Sequence, residues 1–557
     1  MMTVKGRKVA RSLVAAVLVL GMPVLAMADE AGIKNVIVLM MDGTGSAHTT
    51  ISRWYKGAPL ALDRMALGGV RTYSADSLIT DSAPAATAFA TGHKTNDKFV
   101  GVLPGSVTMP GLPAIAEDLR YKPVATVLEG AKLKGKAVGL VATSNIQHAS
   151  PAGYSSHWPA RSNYNEIAEQ QVYNDIDVVL GAGRKYLVPT SQGGGRTDGE
   201  NLLDVLKSRG YDIVGTRDEL QAATRPKVWG MFGDDDMSYD FDRAMFTPDQ
   251  PSLPEMTKKA IELLSKNDKG FFLFVEGSKV DWASHANDPI GVISDILAFD
   301  ESVGMALDFA DRDGKTLVLA FSDHGNAGMS LGNKSTDNTY SKLPFEKLVE
   351  PLKKATLTGE GVEKALGAAG GKTDSTIRDV MAKYYGINDL TDAEVAAIMN
   401  AQAGSLNYVV GPMISTRSVI GWTTNGHVGD DLFLYVYGLK KPMGMVENTE
   451  IAHLSARSLG FDLDRIDKRL FVHADSAFAA LGAKVWIDKT DAANHVLVVE
   501  KNATRATLPF SKDTMRISDP RGAADYELEG LTVYAPNTGK VYVPEQAVAL
   551  FRKHGRI

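Results

Sequence analysis

Four polar residues stand where apolar runs of this chain stop. Asp42 follows "VLMM", Glu276 follows "FFLFV", and Asp323 and His324 follow "LAFS". Carboxylates and imidazoles are the side chains that hold divalent cations or move protons near neutral pH. In "EGSKVDWASHA" Asp281 comes five residues after Glu276, and His285 comes four after Asp281. If that piece is helical, Asp281 and His285 are one turn apart and can share a cation. An ordinary i to i+4 Asp–His surface pair has the same spacing. His427, in "TNGHVGDD", adds an imidazole just before another apolar run. The segment "ITDSAPAATAFATGHKT" (79–95) supplies a hydroxyl. Pro84 suits a first helical turn and the alanines after it are strong helix formers, so Ser82 is expected at or beside a helix amino end. Free N–H groups and the dipole at such an end favour a bound phosphate. Asp81 and Ser82 are equally ordinary caps for a core helix.

These groups need a scaffold that brings them together. The runs "NVIVLMM" (35–41), "KAVGLVATS" (136–144), "DVVLG" (177–181), "FFLFVEG" (271–277), "TLVLAFS" (316–322) and "DLFLYVYG" (431–438) are short and continuously apolar. Strands covered on both faces read this way. Amphipathic segments lie between them; Val124, Val127, Leu128 and Ala131 follow the spacing of a buried helical stripe. The alternation predicts an α/β fold with a largely parallel central sheet flanked by helices. In open sheets of this kind function gathers beyond the carboxyl ends of the strands, where Asp42, Glu276, Asp323 and His324 are expected. No internal repeat is present, and "QGGGR" (192–196) reads as a loop.

The chain has 557 residues, 44% hydrophobic and 23% charged, with a formal net charge of -6. That is an ordinary globular composition with room for one large domain and a smaller one. The negative balance argues against nucleic acid as a partner and leaves local charge, bound cations above all, to attract any anionic substrate. At the amino end, Lys5, Arg7, Lys8 and Arg11 precede "SLVAAVLVLGMPVLA", and Ala26-Met27-Ala28 offers a cleavage site. Residues 1–28 therefore read as a removable export signal, and the mature protein as periplasmic or secreted without a transmembrane anchor. The absence of cysteine excludes disulfides and thiolate ligands.

Six segments, "MMDGTG", "TDSAPAATAFATG", "HASPAGYSSHWPARSN", "EGSKVDWASHA", "SDHGNAG" and "GHVGDD", occur in the order and spacing of the alkaline phosphatases, so residues 33–462 resemble that family. The resemblance implies a metal-dependent phosphomonoester hydrolase acting on small phosphate esters. It implies Ser82 as a nucleophile that forms a phosphoserine, supported by its neighbour Asp81. It gives Asp281, His285 and His427 to one zinc ion and Asp42, Asp323 and His324 to a second. Asp42 would also bridge to a third site completed by Ser150 and Glu276, whose oxygen ligands suit magnesium. Arg161, in "PARSN", would grip two phosphoryl oxygens with its planar fork. Phosphodiesterases and sulfatases built on the same metal scaffold are the alternative enzymes, and a non-catalytic, metal-stabilised surface protein is the alternative outside enzymes.

Two positions depart from the best-known bacterial pattern: His148 replaces an aspartate near the magnesium, and Trp282 replaces a lysine beside the first zinc set. An imidazole there lets the third site hold zinc instead. The catalytic domain is expected over 29–465, with an insert at about 331–420 whose lysine-rich part (331–375) lies over the site or at a homodimer contact. Residues 466–557 carry short β-rich runs separated by turn residues. In "ALGAKVWID" and "VYVPEQAVALF" this region resembles small extracellular domains that accompany copper amine oxidases; a β appendage packed on the catalytic domain is the other reading.

Overall fold

A computed structural model describes residues 32–439 and 444–555. The expected signal segment 1–28 lies outside the described residues. Among the described residues the central sheet has ten strands: β1 (Asn35–Met41), β2 (Ala66–Arg71), β3 (Ala137–Asn145), β4 (Val178–Ala182), β5 (Asp212–Val214), β6 (Val228–Met231), β7 (Phe271–Gly277), β8 (Thr316–Phe321), β9 (Leu432–Tyr437) and β10 (Met445–Glu447). Their order is β10-β2-β9-β8-β1-β7-β3-β4-β6-β5. Only β9 runs against its neighbours, pairing antiparallel with both β8 and β2. All six expected strands are present, and β2, β5, β6 and β10 complete the sheet.

The pleat of β1 explains why the long runs are apolar throughout. Val36, Val38 and Met40 face one core with Phe272, Phe274, Leu319 and Phe321. Ile37, Leu39 and Met41 face the other, with Leu273, Val275, Phe299 and Leu307. Both faces are covered, so alternation disappears from the sequence. The expected stripe that began at Val124 is a helix only from Val127 to Leu133, because Thr126 and Glu129 form a capping box at its start. Val124 precedes it, bonding through its N–H to the Gly101 carbonyl.

Residues Phe345–Lys353, Gly359–Ala368, Asp374–Tyr384, Asp392–Asn400 and Asn407–Arg417 form helices. They share a core with Ile51, Ile290 and Ile293 of the main body. The Tyr385 hydroxyl donates to Asp288 Oδ1 at 2.7 Å, tying this segment to the start of the Pro289–Asp313 helix, directly after the segment that carries Asp281 and His285. Beyond residue 466, one antiparallel sheet has five strands and another has three. They enclose their own core, which includes Phe478, Leu497, Leu508, Ile517 and Phe551. The carboxylates of Asp513 and Glu200 bond Arg209 and Lys512, so ion pairs join this region to the main body in both directions. Among the described residues no helix is long and apolar enough to cross a membrane.

Candidate active site

Four adjacent strands, in the order β8-β1-β7-β3, deliver the polar groups to one place. Asp323 and His324 follow β8, Asp42 follows β1, Glu276 lies near the end of β7, and His148 and Ser150 follow β3. With neighbouring strands about 4.8 Å apart, side chains at these ends meet without any long excursion of the loops. The turn after β1 is tight: Gly43 has φ +65°, and a Cβ there would sit 2.5 Å from Asp281 Oδ1. Asp281 and His285 lie on the Lys279–His285 helix, one turn apart. His427 is held by a short antiparallel pairing of His427–Val428 with Gly325–Asn326.

Ser82 begins the Ser82–Thr91 helix, and Asp81 is its cap, accepting from the Ala83 N–H at 3.2 Å. Every residue of that helix is buried. Its alanines permit close contact with the Ala149–Ser155 helix, where a Cβ on Gly153 would approach Ala86 Cβ to 2.9 Å. The cap reading is thus realised at Asp81, and Ser82 is the first residue of the helix. Ser82 Oγ lies 3.0 Å from His324 Nε2.

The three histidines share one arrangement. His285 Nδ1 bonds the Asn425 carbonyl at 2.5 Å, His427 Nδ1 the Thr80 carbonyl at 2.9 Å, and His324 Nδ1 the Gly325 carbonyl at 3.2 Å. A carbonyl only accepts, so each Nδ1 carries the hydrogen and each Nε2 presents a lone pair. Those nitrogens face carboxylates: His285 Nε2 is 3.3 Å from Asp281 Oδ2, His427 Nε2 is 3.7 Å from Asp281 Oδ1, and His324 Nε2 is 3.4 Å from Asp42 Oδ1. Three donor groups have their ligand atoms within 4.8 Å of one another: Asp281, His324 and His427; Asp42, Asp323 and His324; and Asp42, His148 and Glu276. His148, expected just outside the third site, thus comes within the reach of a ligand there. His285 joins the first group through Asp281.

Electrostatics mark the same place. Both carboxylate oxygens of Asp42, Asp323 Oδ2, Glu276 Oε1 and His148 Nδ1 are buried without a hydrogen-bond partner among the described residues. Burial, followed by the charges of Asp323, Asp281 and Glu276, pushes the Asp42 carboxyl well above its ordinary value. Burial raises Glu276 to about 7 against the bond from Ser278 Oγ, 2.8 Å from its Oε2. Crowded carboxylates and aimed lone pairs, several of the oxygens without any donor, fit divalent cations.

Above these groups opens a cleft of about 640 Å³ lined by Ser82, Lys98, Arg161, Trp282, His285 and His427 among others. Arg161 donates from Nη1 to Asp81 Oδ1 at 2.7 Å, and its Nη2 bonds His148 Nε2 at 2.9 Å. Burial and the adjacent guanidinium lower His148 to about 3, so it is a neutral acceptor. Arg161 keeps three further N–H donors. The two departures from the bacterial pattern touch each other: the rings of His148 and Trp282 meet edge-on, centroids 5.7 Å apart.

The family model for alkaline phosphatase matches residues 33–460. The chain belongs to the alkaline phosphatase family. It is a phosphoric monoester hydrolase by that membership, with small phosphate monoesters as its substrate class. Alkaline phosphatase 3 of Bacillus subtilis is 36% identical over 461 residues, covering 79% of this chain and 92% of that protein. The repressible alkaline phosphatase of Saccharomyces cerevisiae is 32% identical over 487 residues, covering 78% and 82%. Among solved structures, the Thermus thermophilus alkaline phosphatase aligns with a TM-score of 0.68 at 28% identity, over 77% of this chain and 92% of that one. A mutant alkaline phosphatase from the Antarctic bacterium TAB5, solved with Mg bound, aligns with a TM-score of 0.54 at 26% identity, over 77% and 99%. The matched family span stops short of the β-rich carboxyl region.

Some residues at the candidate site were not singled out by sequence. Asn326 donates to Asp281 Oδ1 at 2.7 Å, and its position inside "SDHGNAG" was the available signal. His48 accepts from the Gly45 N–H at 3.1 Å and meets Ser284 Oγ at 3.0 Å, bracing the turn after β1 against the helix that carries Asp281. Lys98 had no signal at all.

Proposed function

We propose that this protein is an exported alkaline phosphatase that hydrolyses phosphate monoesters through a phosphoserine on Ser82. Two zinc ions would be held by Asp281, His285 and His427 and by Asp42, Asp323 and His324. Asp42, Glu276 and Ser150 would hold magnesium in a third site; zinc would be held there by His148 only if Nδ1 gave up the hydrogen it carries while Nε2 accepts from Arg161. The observation that carries the reading is the set of three Nε2 lone pairs and orphaned carboxylates gathered beside the Ser82 hydroxyl. When bound, the cations supply Lewis acidity: they stabilise the charge on the attacking and leaving oxygens and make water a usable nucleophile.

The chain's own residues do the rest. The Ser82–Thr91 helix presents Ser82 at its amino end, where the dipole favours the phosphoryl charge. Ser82 Oγ attacks phosphorus as the bond from phosphorus to the ester oxygen breaks; the hydroxyl proton leaves to solvent, and the ester oxygen departs with a proton taken from water. Asp81 and His148 each hold one nitrogen of Arg161, so the guanidinium is oriented before substrate arrives. Its remaining N–H groups grip the two free phosphoryl oxygens of a monoester; a diester offers one fewer. Water then cleaves the phosphoserine and returns the proton to Ser82.

The region after residue 466 is proposed as a separate β-rich domain packed on a catalytic domain spanning 29–465. The test of the functional reading has two arms. Metal analysis of the purified protein counts the sites. Hydrolysis of an aryl phosphate compared with an aryl diester and an aryl sulfate fixes the reaction class, with the monoester expected to dominate.

A further inference from the structure

Lys98 stands at the rim of the cleft with φ +66°, in the left-handed region that glycine enters far more readily than lysine. Its main chain has a use there: the Lys98 carbonyl accepts from the Arg161 N–H at 2.8 Å and joins the two loops. Glycine would serve that purpose as well. The side chain therefore needs its own reason. Its Nζ donates to Asp81 Oδ1 at 2.7 Å, and this is the same oxygen that accepts from Arg161 Nη1 at 2.7 Å.

One carboxylate paired with one guanidinium is neutral toward an approaching anion. With two cations on Asp81 the group is positive by one charge. Asp97 also faces Lys98, at 3.5 Å, but both of those side chains are 55% exposed, so solvent and salt weaken that pair. The Asp81 side chain is only 8% exposed, and its interactions are screened far less. We propose that Lys98 is a positioning residue: it occupies Asp81 so that Arg161 keeps its positive charge for the phosphoryl group, and it thereby sets how tightly substrate and product phosphate are held. This rests on the reading of Arg161 as the phosphoryl grip. Because monoester and inorganic phosphate present the same oxygens to Arg161, Lys98 acts on both equally. Weaker product binding does not slow the chemical step, and it speeds turnover where release is limiting.

The test uses the full-length metal-saturated enzyme, an aryl phosphate as substrate and inorganic phosphate as competitive inhibitor. Lys98→Gly should raise KM and the phosphate inhibition constant together by about 3- to 10-fold, the scale of coupling between contacting charged groups. Its kcat should be equal or higher, and its melting temperature no lower, since glycine suits the backbone. Lys98→Arg should stay within about 2-fold of the parent, because it keeps the charge. In an Asp81→Asn background, Lys98→Gly should change phosphate binding by less than about 2-fold, because the two act through one contact. Unchanged phosphate binding in Lys98→Gly overturns the proposal. So does an undiminished effect in the Asp81→Asn background, which would mean that the ammonium meets the substrate itself. Arg161→Ser separates the two readings: if it binds phosphate as tightly as the parent, the grip assigned to Arg161 falls, whereas a loss there with none in Lys98→Gly overturns the role of Lys98 alone.

Discussion

Ser82 Oγ and His324 Nε2 lie 3.0 Å apart, and that same nitrogen is 3.3 Å from Asp323 Oδ2 and 3.4 Å from Asp42 Oδ1. The hydroxyl therefore shares its surroundings with one of the three groups able to hold a cation. The helix it starts does not depend on it, because Asp81 makes the cap. Ser82→Ala should lower turnover of an aryl phosphate by at least about three orders of magnitude, since no other hydroxyl takes the nucleophile's place. The variant should keep its metals and lose no more than about 1 kcal/mol of stability, the worth of one hydrogen bond. Labelled phosphate trapped on the parent at acid pH, and absent from Ser82→Ala, is the matching positive result. Near-normal turnover in the variant would remove Ser82 from its role.

Metal removal should destabilise the protein as well as silence it. Asp42, Asp323 and Glu276 keep buried oxygens without donors, and only cations answer that charge. Chelation should lower the melting temperature, and zinc added back at about 100 times its dissociation constant should restore about 2.7 kcal/mol per site. His427→Ala, which takes away one aimed Nε2, should weaken one zinc by at least about 100-fold. Equilibrium dialysis with elemental analysis reads both; a His427→Ala protein with two tight zincs would break the first donor set.

Residues at strand ends were the legible part of this site. Asp42, Glu276, Asp323 and His324 announce themselves because a charged group closing an apolar run has few structural uses, and the sheet order puts those ends side by side. The strands that went unread are the ones with weak pattern: β2 is "ALGGVR" with a largely exposed face, and β6 is the four residues "VWGM". Their place is set by neighbours in the sheet and not by their own propensity. Lys98 was illegible for a different reason. Its meaning comes from where the loop at 98 crosses the loop at 161, and local sequence carries no record of that crossing. His157 is similar: its partner Glu129 is 28 residues away and shows up only in three dimensions.

That histidine gives a pH dependence of stability that has nothing to do with the metals. His157 Nε2 bonds Glu129 Oε1 at 2.9 Å and its Nδ1 bonds the Gly101 carbonyl at 2.8 Å. Two acceptors require two N–H groups, so the ring is an imidazolium. Burial acts to lower His157, but Glu129 outweighs it and the net shift is above the ordinary 6.5. Burial likewise acts to raise Glu129, and His157 and Thr126 reverse it to below 4.5. The histidine's contribution is complete below 6.5 and disappears as pH climbs through its raised value; the glutamate's is complete above 4.5 and disappears as pH falls through its lowered value. The pair thus stabilises most between those limits. Glu129→Gln keeps the capping box and removes the charge. It should cost about 3 kcal/mol near pH 6 and fall toward about 1 kcal/mol as pH climbs through the raised value of His157. Denaturant melts across that range give the comparison; a pH-independent cost would mean that the pair is neutral throughout.

The proposed grip of Arg161 accounts for a preference of monoesters over diesters. Asp81 and His148 hold one hydrogen on each terminal nitrogen, which leaves three N–H donors to meet two free phosphoryl oxygens. A diester has given one of those oxygens to its second substituent. Two charge-assisted bonds at about 1.5–3 kcal/mol each correspond to about two to four orders of magnitude in kcat/KM when both are made in the transition state, with solvent in the open cleft favouring the lower end. Arg161→Ser should lose that much on an aryl phosphate and less than about 10-fold on an aryl diester. The fold should tolerate the change, because Asp81 keeps Lys98 as a partner and its cap bond to Ala83. Assays of both esters at saturating zinc give the ratio directly. Equal losses on the two would mean that Arg161 anchors the loops or the His148 ring, and the monoester preference would then have to come from the cation sites alone.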